Sequence, residues 1–314
     1  MQKFIVSLFM SLTLVLPGLG QAAPPNRETG KIKVVSTIFA PYDFARAVAG
    51  DRAELTMLLP PGAESHSFEP TPRDIVNIQK CDVFIYIGGE SETWVEQILK
   101  STDTGKRKTL ALMDKVTVVK EEIVEGMQEE SEEEETEEPE YDEHIWTSPK
   151  NAKLLTQAIA DTLSAADPDN AAFYQENAKD YIVKLNKLDK DFQAVVDGAV
   201  RKTIVFGDRF PFRYFADDYK LSYFAAFPGC STETEPSAAT LVFLINKVKQ
   251  GKIPVVFHIE LSNEKIADML CEATGAKKRL LHACHNISRD DFRKGETYLS
   301  IMARNVEALR EALW

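Results

Sequence analysis

The longest uninterrupted helical pattern in this 314-residue chain lies at 171–199, and it limits the fold more than any other stretch. It contains no proline, and no glycine before Gly198. Its apolar residues Tyr174, Ala178, Tyr181, Ile182, Leu185, Leu188, Phe192 and Val195 recur at steps of three and four, so they share one face. At 1.5 Å per residue such a helix is roughly 40 Å long, more than one small domain needs. It reads as a spine joining two lobes.

Each side of the spine alternates strand-like and helical runs. On the N-terminal side the strands fall at 31–36, 53–59, 82–87 and 109–113. Helical patterns separate them: 42–49, one capped by Thr71 with Pro72 in its first turn, and one through Trp94 and Leu99. The run 82–87 is almost wholly apolar, as a strand buried on both faces should be. Ser148-Pro149 opens a helix that lasts to about Ala166. On the C-terminal side strands at 203–206, 223–227, 253–259 and 279–283 alternate with helices around Tyr214 and over 237–250, 262–274 and 297–313. Strict alternation implies parallel pairing. The expected fold is α/β, with two parallel-sheet lobes at 24–170 and 201–314 and a connecting helix at 171–200. An apolar content of 44% supports two cores of ordinary size.

Residues 1–23 have Lys3, an apolar run from Phe4 to Leu19, and small residues before Pro24, the pattern of a secretory signal peptide. No cysteine follows that run, so a lipid-anchored start is not expected. The expectation is an exported, soluble protein in the periplasm or another extracytoplasmic space, and a monomer. Its net charge of −12 is local, because 121–143 holds fourteen acidic residues and no basic one, leaving the remainder formally +2. A run this dense repels itself and stays solvated. Nucleic acid is not an expected partner. The acidic loop is read either as a plain solvated linker or as a cation collector at the door of a metal site.

Histidine placement favours the second reading. There are five, and His66, His282 and His285 fall at or beyond the carboxyl ends of strands, where open α/β sheets gather ligands. His144 closes the acidic loop, and His258 lies inside a strand ending in Glu260. Asp208 follows the strand 203–206, and Glu64 precedes His66. Imidazole with carboxylate suits Zn²⁺ and, with more oxygen, Mn²⁺. A zinc hydrolase would need a general base such as Glu260 or Glu64, but no His-Glu-x-x-His spacing and no serine elbow is present.

The stretches Pro60-Pro-Gly-Ala-Glu-Ser-His-Ser-Phe-Glu-Pro-Thr-Pro, Phe84-Ile-Tyr-Ile-Gly-Gly with Trp94, Asp142-Glu-His-Ile-Trp-Thr-Ser-Pro and Ser262-Asn-Glu-Lys-Ile-Ala resemble the zinc/manganese substrate-binding proteins of ABC importers. The resemblance covers nearly all of the chain beyond residue 23. It implies two α/β lobes on a rigid helix, a metal held in the cleft between them, and a membrane permease as partner. An adhesin on the same scaffold is a further reading. By position His66 and His144 match the two N-lobe ligands. The family's next ligand, a histidine or glutamate, falls on Gly207 or Arg209, so Asp208 is the substitute, with Arg209 turned away to pair elsewhere. The last ligand position matches His282, with His285 in reserve and Glu64 and Glu260 as outer partners or alternates. The ion expected is Zn²⁺, with Mn²⁺ the alternative, carried and not turned over.

Four cysteines in an exported chain are expected to pair or be buried. Cys81 reads as a core thiol. Cys230 with Cys284 is the first pairing to consider, and Cys271 with Cys284 the next.

Overall fold

A computed structural model describes residues 30–64, 68–102, 105–127, 140–229 and 235–314. The leader-like residues 1–23, His66, Cys230 and most of the acidic run lie outside these. In chain order the elements are β1 (Ile32–Ser36), α1 (Phe39–Ala49), β2 (Ala53–Met57), α2 (Pro72–Lys80), β3 (Val83–Tyr86), α3 (Thr93–Ser101), β4 (Lys108–Ala111), α4 (Pro149–Ala166) and α5 (Ala171–Asp197). There follow β5 (Thr203–Phe210), α6 (Arg213–Tyr219), β6 (Ser222–Pro228), α7 (Ala238–Gln250), β7 (Val255–His258), α8 (Lys265–Thr274), β8 (Lys277–Leu280), α9 (Arg289–Lys294) and α10 (Tyr298–Leu313).

Two four-stranded sheets result, in the orders β2-β1-β3-β4 and β6-β5-β7-β8, with every pairing parallel. The order is the same in both: the second strand flanks the first, and the chain then reverses direction across the sheet. Each sheet therefore has a switch point, between β1 and β3 and between β5 and β7, where the connections leave to opposite sides and open a crevice.

Local chemistry explains the boundaries. Thr71 and Asp74 form a reciprocal capping box at α2. Ser148 accepts from the amides of Lys150 and Asn151 at the start of α4, with Pro149 in the first turn. The spine α5 buries Tyr174, Ala178, Tyr181, Leu185, Leu188, Phe192 and Val195, the alternating four-three stripe of its sequence.

Strand β5 is longer than its sequence pattern, running to Phe210. Its pairing with β6 jumps from Phe206↔Ala225 to Arg209↔Phe227, so β5 carries one extra residue there. Such a bulge re-aims side chains, and it puts Asp208 inside the strand instead of after it. Gly207 is required at this point, because a Cβ would lie 2.5 Å from the backbone of Ala267 in α8. The sequence gives no helical signal for α9, a single capped turn and a half opened by Ser288.

Residues Lys31–Trp314 form one compact unit, and one apolar cluster runs through both sheets and the spine. At its centre Phe44 of α1 meets the rings of Tyr181 on α5 and Tyr298 on α10 edge-on, at 6.2 and 4.8 Å. Such pairs add about 0.5–1.5 kcal/mol each beyond burial. Asp43 beside them accepts from the Tyr298 amide at 2.9 Å and pairs with Arg46. Burial pushes its carboxyl up despite that arginine. One helix from each lobe and the spine are thus tied at a single buried point. No helix among the described residues is long and apolar enough to cross a membrane.

Candidate metal site

A cavity of about 230 Å³ lies between the two sheets. One wall carries Ala63, Glu64 and His144 from N-terminal loops. The other carries Gly207–Arg209 at the end of β5, Ile259–Asn263 after β7, and Ala283, His285 and Asn286 after β8. The C-terminal wall is the β5/β7 switch point, the place where this sheet order opens a crevice.

His144 enters on the N-terminal side at the start of a 3₁₀ turn over Ile145–Thr147. Asp142 Oδ1 accepts from the His144 amide at 2.8 Å and lies 3.1 Å from its Nδ1. With the proton of Nδ1 directed at a carboxylate, Nε2 is the nitrogen that carries the coordinating lone pair. Complete burial works against protonation, but the charges of Asp142, Glu143 and Glu121 outweigh it, and the imidazole pKa is raised. Tyr214 holds Asp142 in turn, its hydroxyl donating to the Asp142 carbonyl at 2.7 Å.

His285 faces His144 from the other lobe, ring centroids 5.3 Å apart and planes at 84°. Its amide donates to Glu260 Oε1 at 2.9 Å, while the amide of Ala283 donates to Glu260 Oε2 at 2.7 Å. Glu260 is therefore occupied in shaping the 283–285 turn. Trp146 wedges beneath both rings, 5.5 Å from His144 and 5.0 Å from His285. Its indole Nε1 donates to the Ala283 carbonyl at 2.7 Å. The carbonyl of His285 accepts from Phe39 N at the first turn of α1, a helix whose N-cap, Ile38, offers no side-chain acceptor.

His282 lies apart from the cavity. It is 6% exposed, its Nδ1 accepts from the Cys284 amide at 2.9 Å, and its backbone carbonyl accepts from Asn305 Nδ2. Burial lowers its pKa, with Glu260 opposing. The cause is Cys284, whose left-handed backbone (φ 59°) turns the chain between the two histidines. The sequence expectation ranks His282 above His285 for the cleft; the fold places them the other way round.

Asp208 reaches the cavity wall, but its oxygens accept from the amides of Arg209 and Ile259 at 2.9 and 3.1 Å. Arg209 does not turn away. It lines the same cavity and pairs across the cleft with Glu64 at 3.3 Å. His258 points elsewhere, with Nδ1 3.1 Å from the Ile259 carbonyl. Cys284 is a free thiol buried in the core, as is Cys81, and Cys271 is also free. Neither disulfide expected from the sequence is therefore formed at Cys284: the left-handed turn sends its side chain inward. Burial raises both core thiols, Cys81 to about 12.

Among the described residues no three His, Cys, Asp or Glu side chains converge as a metal-holding group. The sequence expectation of His66 as a ligand falls outside the described residues, between Glu64 and Phe68. Sequence reasoning missed Asp142, Trp146 and Asn286. The last donates from Nδ2 to the carbonyls of Pro60 and Ala63 at 2.9 and 2.7 Å. It thereby ties residues 60–63, which precede His66 in the sequence, to the opposite lobe. Position next to His144 and His285 is the only signal that could have found them.

The structure is thus a two-lobed α/β scaffold on a long connecting helix, with one imidazole from each lobe in the intervening cleft. The chain belongs to the family described as zinc-uptake complex component A, periplasmic, whose model matches residues 34–312. It is 35% identical over 287 residues to the zinc-binding lipoprotein AdcA of Streptococcus pneumoniae strain R6, covering 91% of this chain and 56% of AdcA. The chain thus spans little more than half the length of that streptococcal relative. To the high-affinity zinc uptake system protein ZnuA of Bacillus subtilis it is 33% identical over 314 residues, covering 99% of this chain and 96% of ZnuA. The solved Zn(II)-bound ZnuA-like domain of Streptococcus pneumoniae AdcA superposes with a TM-score of 0.75 at 33% identity, over 90% of this chain and 99% of that domain.

Proposed function

We propose that this protein captures Zn²⁺ outside the cytoplasmic membrane and delivers it to the permease of an ABC importer, without turning anything over. The observation that carries this reading is the pair His144–His285, edge to face at 5.3 Å in a cavity shared by both lobes. Each is held by its own carboxylate. In this reading residues 24–170 and 201–314 are the two walls and 171–200 the spine. His66, a few residues beyond those that Asn286 ties, supplies a third imidazole, and His285 takes the place that the sequence pattern gives to His282. Asp208 and Glu260 act through the backbone they hold and add negative charge to the C-terminal wall. Imidazole-rich donation favours zinc over manganese, which prefers oxygen.

A hydrolase at the same place is disfavoured by the state of its candidate bases. Both oxygens of Glu260 accept backbone amides, and Glu64 is paired with Arg209. The test is elemental analysis of protein purified without a tag, followed by titration with Zn²⁺ and Mn²⁺ in competition. One tight Zn²⁺ per chain, displaced only by excess Mn²⁺, is the expected result. Preference for Mn²⁺, or no tight ion, would refute the assignment.

A further inference from the structure

Residues 119–127, the first limb of the acidic insert, belong to the N-terminal lobe by sequence and pack on the C-terminal one. Glu122 accepts from the Tyr223 hydroxyl at 3.1 Å and lies 3.3 Å from the Arg213 guanidinium. Glu125 pairs with Lys247 at 3.0 Å. Lys247 stands over the rings of Phe224 and Phe243, 4.7 and 4.8 Å from their centroids, so its charge is already in place to receive a carboxylate. Gly126, at φ 95°, crosses Phe243 so closely that a Cβ would lie 2.2 Å from the ring. Glycine alone suits both that backbone and that space. Met127 ends the limb, buried in the core cluster that runs through both lobes.

The second limb, 140–142, leads directly to His144 and is laced to the first. Lys120 and Tyr141 form an antiparallel bridge. On either side of it the Glu121 amide donates to the Glu140 carbonyl at 2.8 Å and the Asp142 amide to the Val119 carbonyl at 2.9 Å. The Tyr214 hydroxyl, from α6 of the other lobe, accepts from the Val119 amide at 3.3 Å and donates to the Asp142 carbonyl at 2.7 Å, tying the feet of both limbs. Gly229 marks where this arrangement meets the cleft: a Cβ there would lie 3.2 Å from both the Glu121 carboxylate and the His144 ring. The docked limb therefore stands at the edge of the cavity, beside His144. Its ion pairs are partly exposed and individually weak, so Met127 and the contact of Gly126 with Phe243 carry most of the hold.

We propose that residues 119–127 are a clasp between the lobes. Docked on Arg213, Tyr223 and the face of Lys247 and Phe243, the limb holds the two lobes together at the His144 edge of the cleft. When it lifts, the second limb loosens with it, because the two share a ladder and the Tyr214 hydroxyl, and the His144 ring is uncovered. Such a lift is a local opening that leaves the sheets and the spine intact. Charge sets its ease: salt weakens the pairs at Glu122 and Glu125 and leaves the apolar part of the dock in place. The glutamates at 129–138 have no role in the clasp. It is a property of the metal-free chain and stands whether or not the cleft takes zinc.

The experiment is hydrogen exchange on the metal-free chain, read by mass spectrometry in peptides covering 119–127 and 140–148. Beside it, the rate at which diethyl pyrocarbonate modifies His144 is measured. Gly126→Ala is expected to raise exchange in both peptides by about ten-fold, since the new side chain meets a left-handed backbone and a ring, and to speed modification of His144 with them. Lys247→Glu, which sets a like charge against Glu125, should raise all three by about three-fold, the scale of one exposed pair. Glutamine at the glutamates of 129–138 should change none of them. Exchange in α5 should stay at the wild-type rate throughout, which separates a lifted clasp from an unfolded chain. Release of 119–127 with no change at 140–148 or at His144 overturns the coupling of the limbs. Wild-type exchange at 119–127 in both variants overturns the dock. An equal rise in α5 would make the limb an inseparable part of the fold and overturn the clasp.

Discussion

The two walls of the cleft present an imidazole each, and they hold it by different means. On the N-terminal wall Asp142 touches the ring of His144, so the carboxylate sets both its orientation and its charge. On the C-terminal wall Glu260 accepts from the backbone amides of Ala283 and His285, fixing where the ring stands, and its side chain lies 3.5 Å from Nδ1 of His282. Substitutions near His144 should therefore alter the pH dependence of binding, whereas those near His285 should alter its geometry. Trp146 packs against both rings, 5.5 Å from His144 and 5.0 Å from His285.

The largest effect should come from removing the rings themselves. His144→Ala and His285→Ala are each expected to weaken Zn²⁺ binding by more than about 100-fold, beyond the range seen when only an outer partner of a ligand is lost. His282→Ala should leave affinity within a few-fold and instead lower stability by about 1–3 kcal/mol, because the buried Cys284 amide loses its acceptor. Calorimetry and denaturant melts on the three variants decide this. An affinity loss at His282 matching that at His285 would break the contrast between them.

Asp142→Asn comes next, with an expected loss of about 10–100-fold, the usual cost of an outer partner. The pH profile should move with it. Protons compete with the metal for His144, whose raised pKa makes wild-type affinity begin to fall at a pH above the ordinary imidazole value of about 6.5. Without the Asp142 charge, burial acts with less opposition and the fall should shift to lower pH. Glu260→Gln should weaken binding without that shift. Parallel zinc titrations between pH 5.5 and 8 would expose identical shifts in the two variants, which the comparison does not allow.

A smaller effect concerns stability. His282 has a lowered pKa in the folded chain through burial, so the unfolded state takes up its proton first. The stability it supports is complete above about pH 6.5 and is lost as pH falls through the folded value. Melts of metal-free protein should show this acid-side loss, and His282→Ala should show less of it. An unchanged acid slope in the variant would remove His282 as its source.

The smallest change is expected from the acidic run. Its first residues are not loose. Glu125 pairs with Lys247 at 3.0 Å, Glu122 accepts from Tyr223, and the Glu121 amide donates to the Glu140 carbonyl. The first two contacts reach across to the other lobe and the third closes the run on itself, contrary to a run solvated from end to end. Replacing the glutamates between 129 and 138 with glutamine should leave the tight constant within about two-fold and slow capture at low salt only, since exposed charges are screened beyond about 10 Å at 0.1 M. Stopped-flow capture at two ionic strengths is the measurement, and loss of the tight site would put the run inside it.

The sequence by itself determined the architecture. Two sets of alternating strands and helices around the 171–199 pattern leave two parallel sheets on a spine, because period and capping are local properties that each segment carries alone. The place of His144 at the edge of the folded N-terminal side was legible for the same reason: it closes a charge run and opens a capped helix within a few residues. The choice between His282 and His285 was not. They are three residues apart, both near a strand end, and only the left-handed turn at Cys284, held by Glu260 from the turn after β7, sends one ring to the core and the other to the cleft. The setting of Asp208 was likewise not legible, because a bulge against β6 extends β5 past it and its carboxylate accepts backbone amides. Arg209 was placed by its pairing with a glutamate 145 residues away. A side chain's direction depends on groups distant in sequence, and those meet only when the two sheets pack on the spine.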